Sequence, residues 1–127
     1  MTDADMIKLV KTYFAAVDAE DLPGVLSTLT PGCVFTVETH GVRLQGHGEI
    51  EGMFKRLWSN HRAVRHDQFT FVPSAAEARI AAQFQVTNTL ETGALAYKSN
   101  CNFFHVTGMR FDSVAVYMAG ENTLNTQ

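Results

Sequence analysis

Charge, cysteine and long apolar runs are all scarce in this sequence. Charged residues make up 18% of the 127 positions, below the ~25% usual for a soluble domain. The formal net charge is −3 and the charges are scattered, so there is no basic stripe for nucleic acid. No apolar run approaches the ~18 residues that a membrane span needs. The two cysteines, Cys33 and Cys101, show neither a metal-binding spacing nor a disulfide framework.

Recognisable cofactor motifs are missing as well. The sequence has no phosphate-binding loop, nucleophile elbow or Walker motif, so we expect no cofactor and no metal. Residues 2–5 are acidic where a signal peptide would be basic, which leads us to expect a cytoplasmic protein. Apolar residues reach 46%, enough for one domain over residues 1–127 with a real core. The low charge content leaves apolar surface, which favours self-association.

Three helices are predicted in the first half of the chain. The first spans residues 3–18, where apolar side chains recur at helical spacing. The second follows Asp21, an expected N-cap, has a proline in its first turn and ends at residues 30–32. The third begins at residues 46–48 and has the strongest helical periodicity of the chain. We expect His61, at its far end, to be exposed to solvent.

Strands are predicted from the change to a period of two. Two short strands at 33–38 and 42–45 precede the third helix, and longer ones follow at 64–72, 78–90, 95–106 and 109–119. Helices followed by a four-strand meander indicate an α+β fold. A sheet this long must curl. We therefore expect a cone-shaped α+β barrel, with three N-terminal helices packed in the concave face of a strongly curved, mainly antiparallel sheet and an apolar pocket between them.

Strand alternation predicts which side chains face this pocket. The inward set is Val64, His66, Gln68, Phe84, Val86, Asn88, Ser99, Cys101, Phe103, Val114, Val116 and Met118. The outward set is Phe69, Phe71, Lys98, Asn100, Asn102 and Tyr117. With the helices included, the predicted walls for a substrate are Phe14, Phe54, Trp58, Phe84, Val86, Phe103, Val116 and Met118. The predicted polar points are Tyr13, Asp18, His66, Asn88 and Cys101.

Local markers connect this order of elements with a known superfamily. They are residues 13–18 (YFAAVD) followed by Asp21, residues 44–50 (LQGHGEI), and the hairpin through Phe103, Phe104 and Phe111. Over nearly its whole length the chain resembles the nuclear-transport-factor-2-like superfamily, in particular its SnoaL-like and scytalone-dehydratase-like branch. The resemblance implies a pocket for hydrophobic, often ring-shaped ligands and a homodimer through the outer sheet face. It does not fix the chemistry, since lyases, isomerases, hydrolases and non-enzymes share this scaffold.

His66 is the best candidate for a general base, because a neutral imidazole is well matched to proton abstraction near pH 7. Asp18 is the best available partner to hold its tautomer. The resemblance implies the same pairing, since dehydratase and dehydrochlorinase relatives use a His–Asp pair at matching places. Tyr13 is a candidate hydrogen-bond donor to the substrate. Structural roles stay open for all three: Asp18 as a turn cap, His66 as a core-edge histidine and Tyr13 as packing.

Steroid isomerase chemistry is not expected. The isomerase relatives carry one catalytic acid late in the first strand, where this chain reads Thr36, Val37 and Glu38, and a second near the position of Cys101. Three functions compete on the sequence alone. The first is a cofactor-free lyase or isomerase using His66, Asp18 and Tyr13 on a small hydrophobic carbonyl or hydroxy compound. The others are a non-catalytic hydrophobic binding protein and a dimerising adaptor whose pocket is filled.

Overall fold

The computed structural model describes residues 1–120. Its helices are α1 (Asp3–Asp18), α2 (Leu22–Ser27) and α3 (His47–Asn60), with 3₁₀ turns at Glu38–His40 and Ala75–Glu77. Its strands are β1 (Leu29–Val37), β2 (Val42–Gln45), β3 (His61–Ser74), β4 (Arg79–Leu90), β5 (Leu95–Thr107) and β6 (Arg110–Ala119). They form one sheet in the order β2-β1-β6-β5-β4-β3. Only β1 and β6 pair in parallel, which confirms the predicted α+β fold and mainly antiparallel sheet.

The core lies between the helices and the inner face of the sheet. The apolar stripe of α1 meets aromatic side chains from the strands, and the largest side chains that are almost fully buried include Met6, Phe84, Phe104 and Phe111. Each such burial contributes about 1.5–3 kcal/mol before the entropy of ordering is subtracted.

Helix α1 begins with a capping box, in which Thr2 and Asp5 satisfy each other's backbone N–H groups. The sheet therefore packs against a helix whose start is fixed locally.

The end of α2 was predicted too late. We expected this helix to continue to residues 30–32, but it ends at Ser27 and β1 already begins at Leu29. Leu29 is the register partner of Phe111 on β6, and the Phe111 N–H donates to the carbonyl of Thr28. Pairing with β6 thus ends the helix before the predicted stop at residues 30–32 is reached, and Pro31 lies within β1.

His61 is buried, not exposed as predicted. It is the first residue of β3 and the register partner of Leu90 on β4, so the strand starts three residues before the predicted position 64. The residue is 3% exposed, and its Nδ1 is hydrogen-bonded to the Leu57 carbonyl at 2.7 Å. The final turn of α3 thus leads directly into the sheet.

A β-bulge reverses the facing of the second half of β3. The pairing shifts between Asp67 and Thr70, and Gln68 adopts a left-handed φ of 56°. An extra residue in a strand turns every following side chain to the other face. Phe69 and Phe71, predicted to point outward, consequently pack against the core, and the Phe69 ring lies 5.2 Å from that of Phe14.

Strand β5 faces the opposite way from the prediction. Lys98, Asn100 and Asn102 are buried on the inner face, whereas Phe103 is 47% exposed on the outer face. The register explains this, because Asn100 pairs with Phe84 on β4, and cross-strand partners point to the same side. Placing Ser99, Cys101 and Phe103 inside was therefore wrong.

Candidate functional site

A pocket of about 580 Å³, including the space at its open mouth, lies between the helices and the sheet. The lining side chains are mostly apolar, with a few polar groups among them. They are Tyr13, Phe14, Val17, Phe35, Val37, Met53, Leu57, Val64, His66, Phe84, Val86, Asn88, Lys98, Asn100, Asn102, Val116 and Met118.

His66, which lines this pocket, is in direct contact with Asp18, which is not itself among the lining residues. Asp18 Oδ1 lies 2.5 Å from His66 Nδ1, and Asp18 Oδ2 accepts a hydrogen bond of 2.9 Å from the His66 backbone N–H. Both carboxylate oxygens therefore hold one residue, which fixes the imidazole ring and its tautomer. With the proton on Nδ1, the lone pair of Nε2 is left as the basic group of the site.

The position of Asp18 is unfavourable for the helix that carries it. Asp18 is the last residue of α1, and that last turn contains no basic residue. A negative charge at the C-terminal end of a helix costs about 0.3–1 kcal/mol through the helix dipole. The contact with His66 offsets this cost by tying the end of α1 to the middle of β3.

Aromatic rings surround the imidazole of His66. The Phe14 ring centroid lies 4.7 Å from it and the Phe84 centroid lies 5.5 Å away. Phe69, turned inward by the bulge, packs against both phenylalanines. The His66 side chain is 11% exposed, so its hydrogen bond to Asp18 is formed largely out of water, where electrostatic interactions are stronger.

Tyr13 lines the same pocket with its ring almost fully buried. Its centroid lies within 6.4 Å of four other aromatic rings, those of Phe14, Phe54, Phe104 and Phe111, each in an edge-to-face arrangement. Burial, and then the neighbouring Cys33, raise the pKa of the Tyr13 hydroxyl above its ordinary value. The phenol therefore keeps its proton and is available only as a neutral hydrogen-bond group.

Four of the predicted substrate-binding residues do not line the pocket. Phe54 and Trp58 lie on a different side of α3 from Met53 and Leu57, which provide the helix's contribution to the wall. The Trp58 indole N–H instead donates to the Val17 carbonyl at 3.0 Å, next to Asp18. Cys101 and Phe103, the other two, point to the outer face because of the β5 register. The remaining predicted wall residues, Phe14, Phe84, Val86, Asn88, Val116 and Met118, all line the pocket.

Lys98, Asn100 and Asn102 are pocket residues that the sequence analysis missed. The predicted strand bounds, 78–90 and 95–106, leave four residues between the strands, which would pair even-numbered positions with odd-numbered ones. In the structure Thr89 pairs with Leu95 and the Leu90 N–H donates to the Ala94 carbonyl, so even-numbered positions pair with even-numbered ones. Phe84 inside therefore implies Asn100 inside. Phe103 and Phe104 are adjacent, so their aromatic side chains do not show which face of β5 points inward. Phe103 was wrongly assigned to the inner face.

Residues 1–120 provide no cluster of metal ligands and no candidate membrane-spanning helix. No three His, Cys, Asp or Glu side chains of this part come together in a way that could hold a metal ion. No helix in it is both long and apolar enough to cross a membrane.

Solved structures similar to this chain share its fold at low sequence identity. A candidate polyketide cyclase from Xanthomonas campestris pv. campestris is 18% identical, with a TM-score of 0.83 over 91% of this chain and 90% of that one. TerC, crystallised with polyporic acid, is 15% identical, with a TM-score of 0.77 over 88% and 89%. A protein with a ketosteroid-isomerase-like fold from Catenulispora acidiphila, in complex with trimethylamine, is 11% identical, with a TM-score of 0.77 over 86% and 83%.

Sequence comparison gives the family itself. No curated protein matches the chain. A family model described as the SnoaL-like domain matches residues 10–118, a span that includes Tyr13, Asp18, His66 and every strand except the last residue of β6. The chain therefore belongs to the SnoaL-like domain family.

Proposed function

We propose that this protein is a cofactor-free lyase or isomerase acting on a small hydrophobic carbonyl or hydroxy compound whose ring fits the pocket. The observation that carries the proposal is the engagement of both Asp18 carboxylate oxygens by His66, at 2.5 and 2.9 Å, beside an apolar cavity. A histidine oriented by a carboxylate is a recurrent general-base arrangement.

The chemistry assigned to His66 is proton transfer at carbon. Nε2 takes a proton from the carbon next to a carbonyl, and the electrons of that C–H bond form an enolate with its charge on oxygen. Asp18 stabilises the imidazolium that results. The imidazolium then returns the proton, either to another carbon, which isomerises the substrate, or to a departing hydroxide, which leaves as water. General-base catalysis of this kind contributes about 10²–10⁴-fold.

Tyr13 keeps its predicted role as a neutral donor to the substrate oxygen. The raised pKa of its hydroxyl supports this role, because a phenol that stays protonated can donate. The dense aromatic contacts of its ring also support simple packing. Tyr13→Phe separates the two, since it removes the hydroxyl alone: a donor role predicts lower turnover at unchanged stability.

The acid arrangement of the steroid isomerases has no counterpart at this pocket. Glu38, the nearest equivalent in sequence, is exposed in the 3₁₀ turn Glu38–His40. No Asp or Glu of the described chain is among the lining residues. This distribution supports a route through His66 rather than through two pocket acids.

The complexes of two relatives support a small-molecule ligand. TerC was crystallised with polyporic acid, and the Catenulispora acidiphila protein was in complex with trimethylamine.

A second candidate function, binding without turnover, is favoured by one contact. Asp18 Oδ2 fastens the backbone of β3, a structural task that a pure binding protein would also need.

Proton exchange into D₂O tests the enzyme against the binding protein. Wild-type protein is incubated with a panel of enolisable cyclic ketones, such as 2-tetralone and chroman-4-one, and loss of the α-proton signal is followed by NMR. The enzyme proposal predicts exchange faster than in buffer for at least one ketone. Ketone binding seen by native mass spectrometry, without faster exchange for any member, would favour the binding protein.

The proposal includes a homodimer through the outer sheet face. Several large apolar side chains are exposed there, among them Tyr97 at 68%, Phe103 at 47% and Tyr117 at 43%. The Phe103 and Tyr117 rings are in contact, with centroids 6.1 Å apart. An apolar face of this kind typically marks an interaction site. Light scattering should give the mass of two chains for wild type and of one chain for Phe103→Lys, and a wild-type monomer would contradict it.

A further inference from the structure

Two asparagines lie on the inner face of β5, where a buried strand would normally carry apolar side chains. They belong to a polar strip of this strand, formed by Lys98, Asn100 and Asn102. Asn100 is 7% exposed and Asn102 is 2% exposed, and both line the pocket. Removing a carboxamide from water destabilises the folded state unless hydrogen bonds compensate. Packing alone therefore does not account for the two asparagines, and departures from the binary pattern are expected at functional positions.

The neighbouring strands offer these carboxamides no hydrogen-bond donor. Each asparagine lies between one cross-strand partner on β4 and one on β6. These partners are Phe84 and Met118 for Asn100, and Ala82 and Val116 for Asn102. Partners in register point to the same face of a sheet, and none of these four side chains carries an N–H or O–H group. The cross-strand surroundings of the two asparagines are thus apolar.

The oxygen of each carboxamide lacks a hydrogen-bond donor. Oδ1 of Asn100 and Oδ1 of Asn102 are buried and accept no hydrogen bond from any residue that the structure describes. The amide of asparagine turns readily about its Cβ–Cγ bond, so each oxygen can meet a donor in the cavity that the residue lines. A hydroxyl group supplies this donor without bringing a charge into a mostly apolar pocket.

The spacing of the two side chains suits one ring. Asn100 and Asn102 are two positions apart on the same face of β5, an interval of about 7 Å. Two hydroxyl groups at meta positions of a ring, each donating a hydrogen bond of about 2.8 Å, span such an interval. One ligand can therefore satisfy both asparagines at once.

The register places this pair two strands away from the proposed base. His66 lies on β3, and β4 separates β3 from β5. Neighbouring strands are about 4.8 Å apart, so the backbones of His66 and Asn100 are separated by at least about 10 Å across the sheet. Phe84 lies between them, because it pairs with Asn100 and its ring centroid is 5.5 Å from the imidazole. A ring held by the asparagines can therefore pack against Phe84 and turn its opposite side toward His66.

We propose that Asn100 and Asn102 determine the specificity of the pocket by accepting hydrogen bonds from two hydroxyl groups of one ring compound. The ligand class is a ring with hydroxyl groups meta to each other. The orientation of this ring toward His66 rests on the proposed function, whereas binding of the ring needs no turnover.

An NMR titration with a matched pair of probes tests this site. The probes are orcinol (3,5-dihydroxytoluene) and its dimethyl ether, 3,5-dimethoxytoluene, which keeps the ring and the oxygen atoms but has no O–H donor. Wild-type protein should bind orcinol at least about 10-fold more tightly, because the ether cannot donate either hydrogen bond. Equal affinities for the two probes, or failure to bind orcinol at all, would overturn the proposal.

Asn100→Leu and Asn102→Leu then assign the preference to the carboxamides. Leucine has nearly the size of asparagine and removes its hydrogen-bonding groups. Each variant should bind orcinol about 3–10-fold more weakly than wild type, through the loss of one hydrogen bond, and should bind the ether within about 2-fold of wild type. A preference caused by the larger size of the ether would persist in both variants. That result, or equal weakening of both probes, would overturn the role of the asparagines.

The stability of the ligand-free protein separates binding from a structural role. Asn102→Leu removes an unpaired buried oxygen, so the variant should unfold at a urea concentration equal to or higher than that of wild type. A structural role of Asn102 predicts a lower unfolding midpoint, and weaker orcinol binding would then reflect a damaged pocket. That combination would overturn the role of Asn102 in binding.

His66→Gln separates this inference from the proposed function. The variant should retain the preference for orcinol over its ether and lose ketone exchange. Retained exchange, together with a preference that depends on the asparagines, would overturn the base role of His66 and support the hydroxyl site. Lost exchange, together with no preference for orcinol in the wild type, would overturn the hydroxyl site alone.

Discussion

The two faces of the sheet each carry a histidine–aspartate pair, and the surroundings of the two pairs differ. On the inner face His66 lies 2.5 Å from Asp18, and on the hairpin β5–β6 His105 lies 2.8 Å from Asp112. The His66 side chain is 11% exposed, and that of His105 is 30% exposed. A His–Asp contact alone therefore does not distinguish a candidate base from a surface pair.

The partners of each pair make the distinction. Asp112 also accepts from the Thr107 hydroxyl, and all three residues belong to one hairpin. Asp18 connects α1 with β3, 48 positions apart in the chain, and its histidine opens on a cavity. The inner pair joins distant elements at a pocket, whereas the outer pair closes a local turn.

Removal of each carboxylate should affect stability unequally. Asp18→Ala leaves the His66 backbone N–H without its partner, and we expect a loss of about 1–2 kcal/mol after relief of the helix-dipole repulsion. Asp112→Ala breaks a partly exposed pair and should cost less than about 1 kcal/mol. Urea unfolding at pH 7 measures both, and equal losses would contradict the distinction between the pairs.

The thiols offer a second comparison of inside and outside. Burial, and then the charge of Asp112, raise the pKa of the Cys33 thiol to about 12 from an ordinary value of 9.0. The unfolded chain ionises this thiol above pH 9 while the folded chain does not, so stability is lost as the pH rises from 9 toward 12. Cys33→Ala should lose less stability than wild type between about pH 8 and pH 10.5.

Cys101 is the control for this alkaline effect. Burial also raises the pKa of its thiol, but the residue is only partly buried on the outer face. Cys101→Ala should therefore alter the alkaline slope of the unfolding free energy less than Cys33→Ala does. A larger change of this slope in the Cys101 variant than in the Cys33 variant would contradict the placement of Cys33 in the core and Cys101 on the outer face.

The smallest expected effect belongs to the outer pair at acid pH. Burial raises the pKa of the Asp112 carboxyl, but hydrogen bonds from Thr107 and His105 and the charge of His105 outweigh it and hold the pKa below its ordinary value of 3.8. The resulting stability is present above about pH 3.8 and is lost as the pH falls through the folded-state pKa. Asp112→Asn should lose less stability than wild type from about pH 5 to pH 3. Identical losses in urea unfolding would show that the pair contributes nothing.

The inner pair was accessible to sequence reasoning, whereas the polar strip of β5 was not found. Helical periodicity placed Asp18 at the end of α1, and the family resemblance suggested His66 as its partner. Alternation in β5 gave two mixed faces, since aromatic and polar residues occur on both. Only pairing with Phe84 decides between them, and that information lies in the neighbouring strand.

The bulge in β3 could not be predicted for a related reason. Gln68 has no residue-type signature for a left-handed backbone, which glycine or asparagine would have suggested. Its conformation follows from the packing of Phe69 and Phe71 onto α1 and β4 after strict alternation has already placed His66 inward. The inward side chains of β3 fall on even-numbered positions up to His66 and on odd-numbered positions at Phe69 and Phe71. One extra residue between them allows both sets to face the core.

The central claim is that His66, held by Asp18, is the base of this pocket, and His105 provides its matched control. The decisive measurement is the rate of α-proton exchange in D₂O, with the most active ketone of the panel, for wild type, His66→Gln and His105→Gln. We expect His66→Gln to lose about 10²–10⁴-fold and His105→Gln to stay within about 2-fold of wild type, because it lies outside the cavity. Exchange by folded His66→Gln at the wild-type rate would contradict the claim.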